Sequence, residues 1–278
     1  MTPRRTTLVV LCTLLAFLET SAATAVGRSA GSGRARATAP LVVIVLENKN
    51  YGEIVGDPDA PYINDVLIPS GTSFTDSHAI GYPSLPNYLA LTAGATLGCR
   101  SNLCAAGYPH ANLFGQLHRH RIAWEVWAAS MPEPCARYSE GLYAMRHNPA
   151  VYYGNIYPRP CKRRVVAYPR RLPERLPKFL FIVPNLCQDM HDCDVARGDR
   201  WLSQEIPPLL RRGAVVLVTF DETSSARTRI ATILTGPGVR AGVRDGHRYT
   251  HYGVLAGIQE RFGLRLLRHA ERARPLPI

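Results

Sequence analysis

The stretch LVVIVL, residues 41–46, is apolar at every position and β-branched at four of them. A strand with one face in water would alternate polar and apolar residues, so this pattern predicts a central strand that is buried on both faces. The same pattern returns in FLFIV (179–183) and AVVLVTF (214–220), and less clearly at 122–128 and 230–234. The chain therefore contains several candidate strands for the interior of one sheet.

Segments with helical spacing lie between these strands. The stretch 85–93 carries Pro86 in its first turn, which is a usual helix opening. Further helices are predicted at 111–120, 201–212 and 251–262. Strands that alternate with helices predict an α/β fold with a mostly parallel central sheet flanked by helices. In such sheets, sites form beyond the carboxyl ends of the strands.

The amino terminus has the pattern of an export signal. Arg4 and Arg5 precede an apolar run over 8–18, which is too short to span a bilayer as a helix. The small residues of ATA (23–25) fit a cleavage site, and an uncleaved anchor is the alternative. We therefore expect a secreted protein. The predicted segments are a signal peptide, a flexible tail and a folded domain, at residues 1–25, 26–39 and 40–278.

The cysteines agree with export. Cys12 lies in the apolar run, and the other six form an even set, as expected for disulfides in an oxidising compartment. Sequence alone leaves their pairing open, and a zinc site is a weaker alternative because no C-x-x-C pair occurs. Spacing between neighbours favours three pairs, namely Cys99–Cys104, Cys135–Cys161 and Cys187–Cys193.

The chain is basic, with a formal net charge of +12. Such a surface attracts anions. The densest basic stretch, 159–178, is interrupted by prolines and is predicted to be a loop, so no specific nucleic-acid partner is expected. Two readings of this stretch stay open. It is either a solubilising surface or a surface for an anionic membrane or a phosphorylated substrate.

Three of the predicted strands end in polar clusters. Glu47-Asn48 follows the first, Asp189, His191 and Asp192 follow the second, and Asp221-Glu222 follows the third. Parallel strands bring such ends to one edge of the sheet. Carboxylate and amide oxygens suit hard cations such as Ca²⁺, Mg²⁺ or Mn²⁺ better than zinc. The alternative is that these residues are ordinary charges of surface loops.

Ser84 lies in GYPSLPNY (81–88), where a helix is predicted to begin. The N–H groups and the dipole of a helix N-terminus favour an anion there. A hydroxyl in that position can attack phosphorus if a cation lowers its pKa. Serine is also a favoured N-cap residue, so position alone does not separate a nucleophile from a cap.

Six stretches together resemble the bacterial phosphoesterase family that contains secreted acid phosphatases and phospholipases C, within the alkaline-phosphatase-like superfamily. The resemblance covers most of residues 41–265 and is strongest to the small secreted acid phosphatases, some of which act on phosphoinositides. The stretches are VVIVLENKNY (42–51), HAIGYPSLPNYLALTAG (78–94), RHNP (146–149), FIVPNLCQDMHD (181–192), VLVTFDE (216–222) and HYGVLAGIQERFGL (251–264).

The resemblance implies a role for each matching residue and an alkaline-phosphatase-like core for the domain. Ser84 matches the nucleophile, which also touches the metal. His147 and His191 match positions near the phosphate, as proton donors and substrate contacts, and Asn87 is placed to donate to a phosphate oxygen. The implied metal ligands are Glu47, Asn48, Ser84, Asp221 and Glu222.

The sequence departs from the two-zinc alkaline phosphatase pattern at Glu222, where that pattern has histidine. This favours one divalent ion, Ca, Mg or Mn rather than Zn. The resemblance implies a secreted metal-dependent phosphatase that hydrolyses phosphomonoesters through a phosphoserine, with phosphoinositides among the candidate substrates. The alternatives are a phospholipase C-type or other phosphodiesterase and a non-catalytic, basic, secreted binding protein. The sequence leaves the oligomeric state open.

Overall fold

Nine β-strands form one mixed sheet in the computed structural model, which describes residues 39–223 and 229–278. The order along the sheet is β4-β3-β5-β1-β6-β8-β2-β7, and β9 also pairs with β2. The predictions made for residues 1–38 lie outside the described residues. The strands are Leu41–Leu46 (β1), Thr72–His78 (β2), Trp124–Ala128 (β3), Val165–Ala167 (β4), Phe179–Val183 (β5), Val215–Phe220 (β6), Arg229–Ile230 (β7), Thr232–Thr235 (β8) and Val243–Thr250 (β9).

The first strand lies at the centre of the sheet. Leu41 pairs in parallel register with Phe179 of β5 on one side and with Val215 of β6 on the other. All six residues of β1 are buried, as expected for a strand without a solvent face. The five strands from β4 to β6 run parallel, while β8 is antiparallel to both β6 and β2. The predicted α/β fold with a mostly parallel sheet is confirmed.

Helices cover both faces of this sheet. Alternate residues of β1 point to opposite faces, so Val43 packs into one apolar cluster and Ile44 into another. The first cluster includes residues of α1, α2 and α5, and the second includes residues of α4. The helices are Ser84–Ala93 (α1), Leu113–Arg119 (α2), Arg159–Arg164 (α3), Val195–Arg211 (α4) and His251–Arg261 (α5).

The six cysteines of the described region form the three pairs that neighbour spacing predicts. Their Cα atoms lie 5.8 Å apart in Cys99–Cys104, 5.5 Å in Cys135–Cys161 and 4.7 Å in Cys187–Cys193. The third pair closes a loop that follows β5, at the carboxyl edge of the sheet. Across residues 39–223 and 229–278, no helix combines the length and the apolar character that crossing a bilayer requires.

Candidate active site

The carboxyl ends of β1 and β6 bring two of the predicted polar clusters together. The Asp221 N–H donates to Leu46 O at 2.9 Å, and the Asn48 N–H donates to Asp221 Oδ1 at 3.1 Å. Glu47, Asp221 and Glu222 are each at most 1% exposed. Three carboxyl groups are therefore held close together below the protein surface, where their negative charges need compensation.

Ser84 is the first residue of α1, and its side chain lies among these carboxylates. Its hydroxyl is 3.1 Å from Glu47 Oε2 and 3.0 Å from Glu222 Oε1, and the residue is 1% exposed. The Ser84 side chain does not cap the helix. Instead Asn102 Oδ1 accepts the Leu85 N–H at 3.0 Å, so a neighbouring loop supplies the acceptor for the helix N-terminus. The Ser84 hydroxyl is left to the carboxylates.

Asn87 fixes the loop that precedes Ser84. Its Oδ1 accepts the N–H groups of Ile80 and Gly81 at 2.9 and 3.1 Å. Its Nδ2 donates to Gly81 O at 2.9 Å and to Pro83 O at 3.1 Å, and lies 3.4 Å from Glu222 Oε2. Because the amide is already engaged with backbone, this geometry favours a loop-fixing role over the predicted contact with a phosphate oxygen.

His147 lies beneath the carboxylates, between Glu47 and Asp189. Its Nδ1 is 3.1 Å from Asp189 Oδ2, and its Nε2 is 3.2 Å from Glu47 Oε2. The Tyr88 hydroxyl donates to Glu47 Oε1, and the Tyr88 ring stacks on the His147 ring with centroids 5.7 Å apart. A carboxylate that holds one imidazole nitrogen leaves the other nitrogen to face a cation.

His191 lies at the edge of the same site and is partly open to solvent. Its side chain is 28% exposed and its Nδ1 is 2.6 Å from Asp192 Oδ1. Its Nε2 is 3.2 Å from Arg146 Nη2, and the backbone N–H of His191 donates to Asp189 Oδ1 at 2.9 Å. Of the two predicted phosphate-side histidines, His191 is therefore the one that a substrate can reach from outside.

Burial shifts the pKa values of the groups in this site. Desolvation raises the pKa of Glu47 well above its usual range, and the charges of Asp221 and Asp189 raise it further. Desolvation and the charge of Asp221 raise the pKa of Glu222 to about 8, and burial raises that of Asp189 to about 7. Burial and the charge of Arg146 lower the pKa of His147 to about 3, so its imidazole is neutral at physiological pH.

The donor set fits a divalent cation. Within residues 39–223 and 229–278, no hydrogen bond is made by the buried atoms Asn48 Oδ1, Asp221 Oδ2 and His147 Nε2, the last of which lies 3.2 Å from Glu47 Oε2 without bonding to it. Ligand atoms of Glu47, His147 and Asp189 lie within 4.8 Å of one another. Buried acceptors without a donor, beside carboxylates with raised pKa values, are compensated by a positive ion. Oxygen predominates over nitrogen, which favours a hard cation.

The structure brings together all five predicted metal ligands, with His147 beside them, and it also places here Asp189, Tyr88 and His251, which were not among the predicted site residues. Asp189 had a signal, because it follows β5 as Glu47 follows β1. Tyr88 had none, since its spacing is also that of a core aromatic residue. His251 begins α5, and its Nε2 donates to the backbone carbonyl of Asp221. It therefore supports the turn that carries Asp221 and Glu222.

Comparison with known proteins gives this site a family. The Phosphoesterase family model matches residues 59–265. A phosphatidylinositol-3-phosphatase of Mycobacterium tuberculosis is 33% identical over 248 residues, which cover 86% of this chain and 81% of that protein. An acid phosphatase of Aspergillus fumigatus is 29% identical over 243 residues, which cover 79% of this chain. The chain spans only 54% of that fungal relative's length.

Solved structures agree on the fold. A protein of the alkaline phosphatase superfamily from Vibrio parahaemolyticus superposes with a TM-score of 0.58 at 13% identity, over 86% of this chain and 71% of that one. The murine ectonucleotide pyrophosphatase/phosphodiesterase 5 superposes with a TM-score of 0.52 at 8% identity, over 83% of this chain and 96% of that one. At such identities the likeness concerns the fold alone. The family match and the mycobacterial relative make this chain a member of the Phosphoesterase family, a hydrolase of phosphoric esters.

Proposed function

We propose that this protein is an exported, metal-dependent phosphatase that hydrolyses phosphomonoesters through a phosphoserine formed on Ser84. One observation carries the proposal. The Ser84 hydroxyl is buried at the N-terminus of α1, 3.1 Å from Glu47 and 3.0 Å from Glu222. A serine that only capped its helix would bond to backbone N–H groups and would need no carboxylates around it.

A single divalent ion completes the site in this proposal. It would be Ca²⁺, Mg²⁺ or Mn²⁺ rather than Zn²⁺, because the donors are mainly oxygen atoms. When bound, the ion supplies the positive charge that stabilises the serine alkoxide and a phosphoryl oxygen. His147 joins the predicted ligands, because its free Nε2 faces Glu47. The full set is Glu47, Asn48, Ser84, His147, Asp221 and Glu222.

The chain's own residues carry the first displacement. The Ser84 hydroxyl passes its proton toward the adjacent carboxylates, Oγ attacks phosphorus, and the bond from phosphorus to the alcohol oxygen breaks. The positive end of the α1 dipole favours the anionic phosphoryl group. His191, at the open edge of the site, is placed to protonate the leaving oxygen. His147 is buried and neutral, so we assign it to the ion.

The second displacement regenerates the enzyme. A water molecule attacks the phosphoserine from the side that the alcohol has left, inorganic phosphate departs, and Ser84 regains its proton. His191 then acts as the base for the water, as microscopic reversibility requires. Both displacements depend mainly on positioning and charge stabilisation.

Phosphoinositides are the substrate class that we propose first, since a phosphatidylinositol-3-phosphatase covers 86% of this chain. The three disulfides support an extracellular location, because such bonds persist in oxidising compartments. A phosphodiesterase would need the same site to admit a second ester group. Comparing a phosphoinositide, an aryl phosphate, phosphatidylcholine and a nucleotide diester as substrates separates these activities. A non-catalytic binding protein would turn over none of them.

The first test is the substitution Ser84→Ala. Phosphate release from an aryl phosphate should fall by about a thousandfold or more, because loss of the nucleophile leaves only binding and charge effects. Folding and divalent-ion binding, followed by circular dichroism and calorimetry, should persist. Ser77→Ala is the matched control, since Ser77 is buried on β2 and its hydroxyl donates to Phe74 O. Full activity in Ser84→Ala would remove Ser84 as the nucleophile.

A further inference from the structure

A loop closed by the Cys99–Cys104 disulfide lies beside Ser84. Asn102, within this loop, accepts the N–H of Leu85 at 3.0 Å, and Leu85 directly follows Ser84. The disulfide and this hydrogen bond together fix the loop against the N-terminus of α1. Side chains on the loop therefore lie at the edge of the active site.

Two large apolar side chains project into solvent at this edge. Leu103, next to Asn102, is 93% exposed, and Tyr82, two residues before Ser84, is 70% exposed. They are the two most exposed large apolar side chains of the described residues. Single exposed apolar residues are common on soluble proteins. Two such residues on either side of one hydrogen bond, next to the nucleophile, form a local feature that we call the apolar rim.

The part of the sequence that contains the apolar rim has no acidic residue. No aspartate or glutamate occurs between Asp76 and Glu125, although the chain has 21 of them. Arg100 lies within the disulfide-closed loop and is exposed. The exposed Asp192 is on the His191 side of the site, where it contacts the imidazole at 2.6 Å. A negatively charged surface is therefore tolerated at the apolar rim and is attracted by Arg100.

The two ends of the basic stretch 159–178 lie elsewhere, whereas its middle reaches the carboxyl edge, where the Tyr168 N–H donates to Ala128 O at 3.0 Å. Arg164 donates to the backbone carbonyl of Trp124, the first residue of β3, at 2.9 Å. Arg212, which follows α4 and precedes β6, donates to Pro173 O at 2.7 Å. Both contacts are at the amino edge of the parallel strands, whereas Ser84 lies at their carboxyl edge. Arg171 and Arg175 line one cavity with Arg164 and Ala123, so a membrane bound by these arginines would face the end of the sheet opposite to the active site.

We propose that Tyr82 and Leu103 insert into the surface of an anionic lipid bilayer and thereby set Ser84 over a phosphorylated headgroup. Leucine gains free energy by entering the acyl boundary, and tyrosine is favoured at headgroup level. The inference rests on the proposed phosphatase function for its substrate. It rests on the exposure and position of the apolar rim for its membrane contact.

The test compares Leu103→Asp with the unchanged protein on two substrates. One is a long-chain phosphatidylinositol monophosphate in phosphatidylcholine vesicles, and the other is its short-chain, water-soluble analogue. We expect kcat/KM on vesicles to fall about tenfold, the order expected for loss of one partly buried leucine. Activity on the soluble analogue should stay within about twofold, because Leu103 is outside the proposed machinery. Equal activity on vesicles would overturn the proposal.

Arg171→Glu combined with Arg175→Glu is the matched control. The double variant changes the surface charge more than Leu103→Asp does, but it does so in the basic stretch, away from the apolar rim. It should therefore keep its vesicle activity. Loss of vesicle activity in this control, with Leu103→Asp unaffected, would place the membrane contact at the opposite end of the sheet and overturn the proposal.

Leu103→Trp gives a binding signal that does not require turnover. The native tryptophans Trp124, Trp127 and Trp201 are 0%, 2% and 8% exposed, so a tryptophan at 103 would dominate any change in fluorescence. We expect a blue shift on adding vesicles that contain the phosphorylated lipid, and none in the unchanged protein, whose three tryptophans are buried. Absence of the shift would overturn the proposed membrane contact of the apolar rim, whatever the activity. A shift without turnover of any ester would instead overturn the proposed phosphatase function and leave the apolar rim standing.

Discussion

Glu47 connects the chemical groups of the site at the scale of single residues. One carboxylate oxygen accepts from Ser84 and faces His147, while the other accepts from Tyr88. Asp189 holds the far side of the imidazole. This arrangement separates residues that touch the proposed ion from residues that orient them. Two sets of substitutions test that division.

Tyr88→Phe removes a hydrogen bond to Glu47 and keeps the ring that stacks on His147. We expect divalent-ion affinity, measured by calorimetry, to weaken about tenfold, because groups that orient metal ligands typically affect affinity to this extent. Turnover at saturating ion should stay near normal. Tyr153→Phe is the control, since Tyr153 is also buried but bonds to Thr92. Unchanged ion affinity in Tyr88→Phe would contradict the role given to Tyr88.

The two histidines should behave differently. His191→Ala is expected to lower kcat by about a hundredfold or more on an alkyl phosphate, the usual range for loss of a general acid. The loss should be smaller on a nitrophenyl phosphate, whose leaving group needs no proton. His147→Ala should weaken ion affinity instead. Because His191 also serves the second displacement, which both esters share, the comparison uses the rate of alcohol release in the first turnover. The same loss of that rate on both esters in His191→Ala would argue against proton donation.

At the scale of helices and strands, the sequence predicts the part of the sheet that is buried on both faces. The strands β1, β5 and β6 are visible because lack of a solvent face makes them almost continuously apolar, and β3 is less clear because Glu125 interrupts it. The strands β2 and β9 are not visible, since their sequences, TSFTDSH and VRDGHRYT, are largely polar, and their residues are at least partly buried in β2 and half of them exposed in β9. The predicted strand at 230–234 is divided into β7 and β8.

The same reasoning accounts for what could be predicted of the site. Carboxylates directly after apolar strands are visible in sequence, because the strand fixes where they lie. Tyr88 is not visible, since a buried tyrosine that donates to Glu47 has the same spacing as one that only packs. The change in role for Asn87 also required the structure, because its backbone partners lie in an irregular loop. Geometry outside regular elements leaves no periodic signal.

The disulfide-closed loop 187–193 offers a test at this scale. It carries Asp189 and His191, so replacing both Cys187 and Cys193 with serine should loosen two groups of the site. We expect a lower kcat and a stability loss of about 2 kcal/mol, measured by urea unfolding. The matched double variant of Cys135 and Cys161 should lose stability and keep kcat per folded molecule. Equal kcat losses in both variants would argue against a specific role for the loop.

At the scale of the whole molecule, the site holds several buried carboxyl groups in a chain with a net charge of +12. Burial raises the pKa of Asp189 from 3.8 to about 7 and that of Glu222 from 4.5 to about 8. Between the unfolded and the folded pKa of each group, the folded, ion-free protein binds more protons than the unfolded chain. The stabilising contribution is therefore complete below about pH 4 and is lost as the pH rises toward 8.

This predicts that pH affects the ion-free protein more strongly than the ion-loaded protein. In a chelator, the melting temperature should fall as the pH rises from about 5 to 8. With saturating Mg²⁺ or Ca²⁺ the decline should be smaller, because the ion stabilises the ionised carboxylates. Glu222→Gln should flatten the slope in chelator, since it removes one of the titrating groups. A melting temperature that rises with pH in chelator would contradict the buried-carboxylate account.

The central claim is that phosphate passes through Ser84, and a rapid acid quench of the first turnover tests it most directly. The amounts of alcohol and inorganic phosphate are measured at each quench time. The mass of the peptide that contains Ser84 is measured by mass spectrometry to detect bound phosphate. We predict that alcohol appears before inorganic phosphate and that the missing phosphate is found on Ser84. Simultaneous release of both products, with Ser84 unmodified at every quench time, would contradict the account.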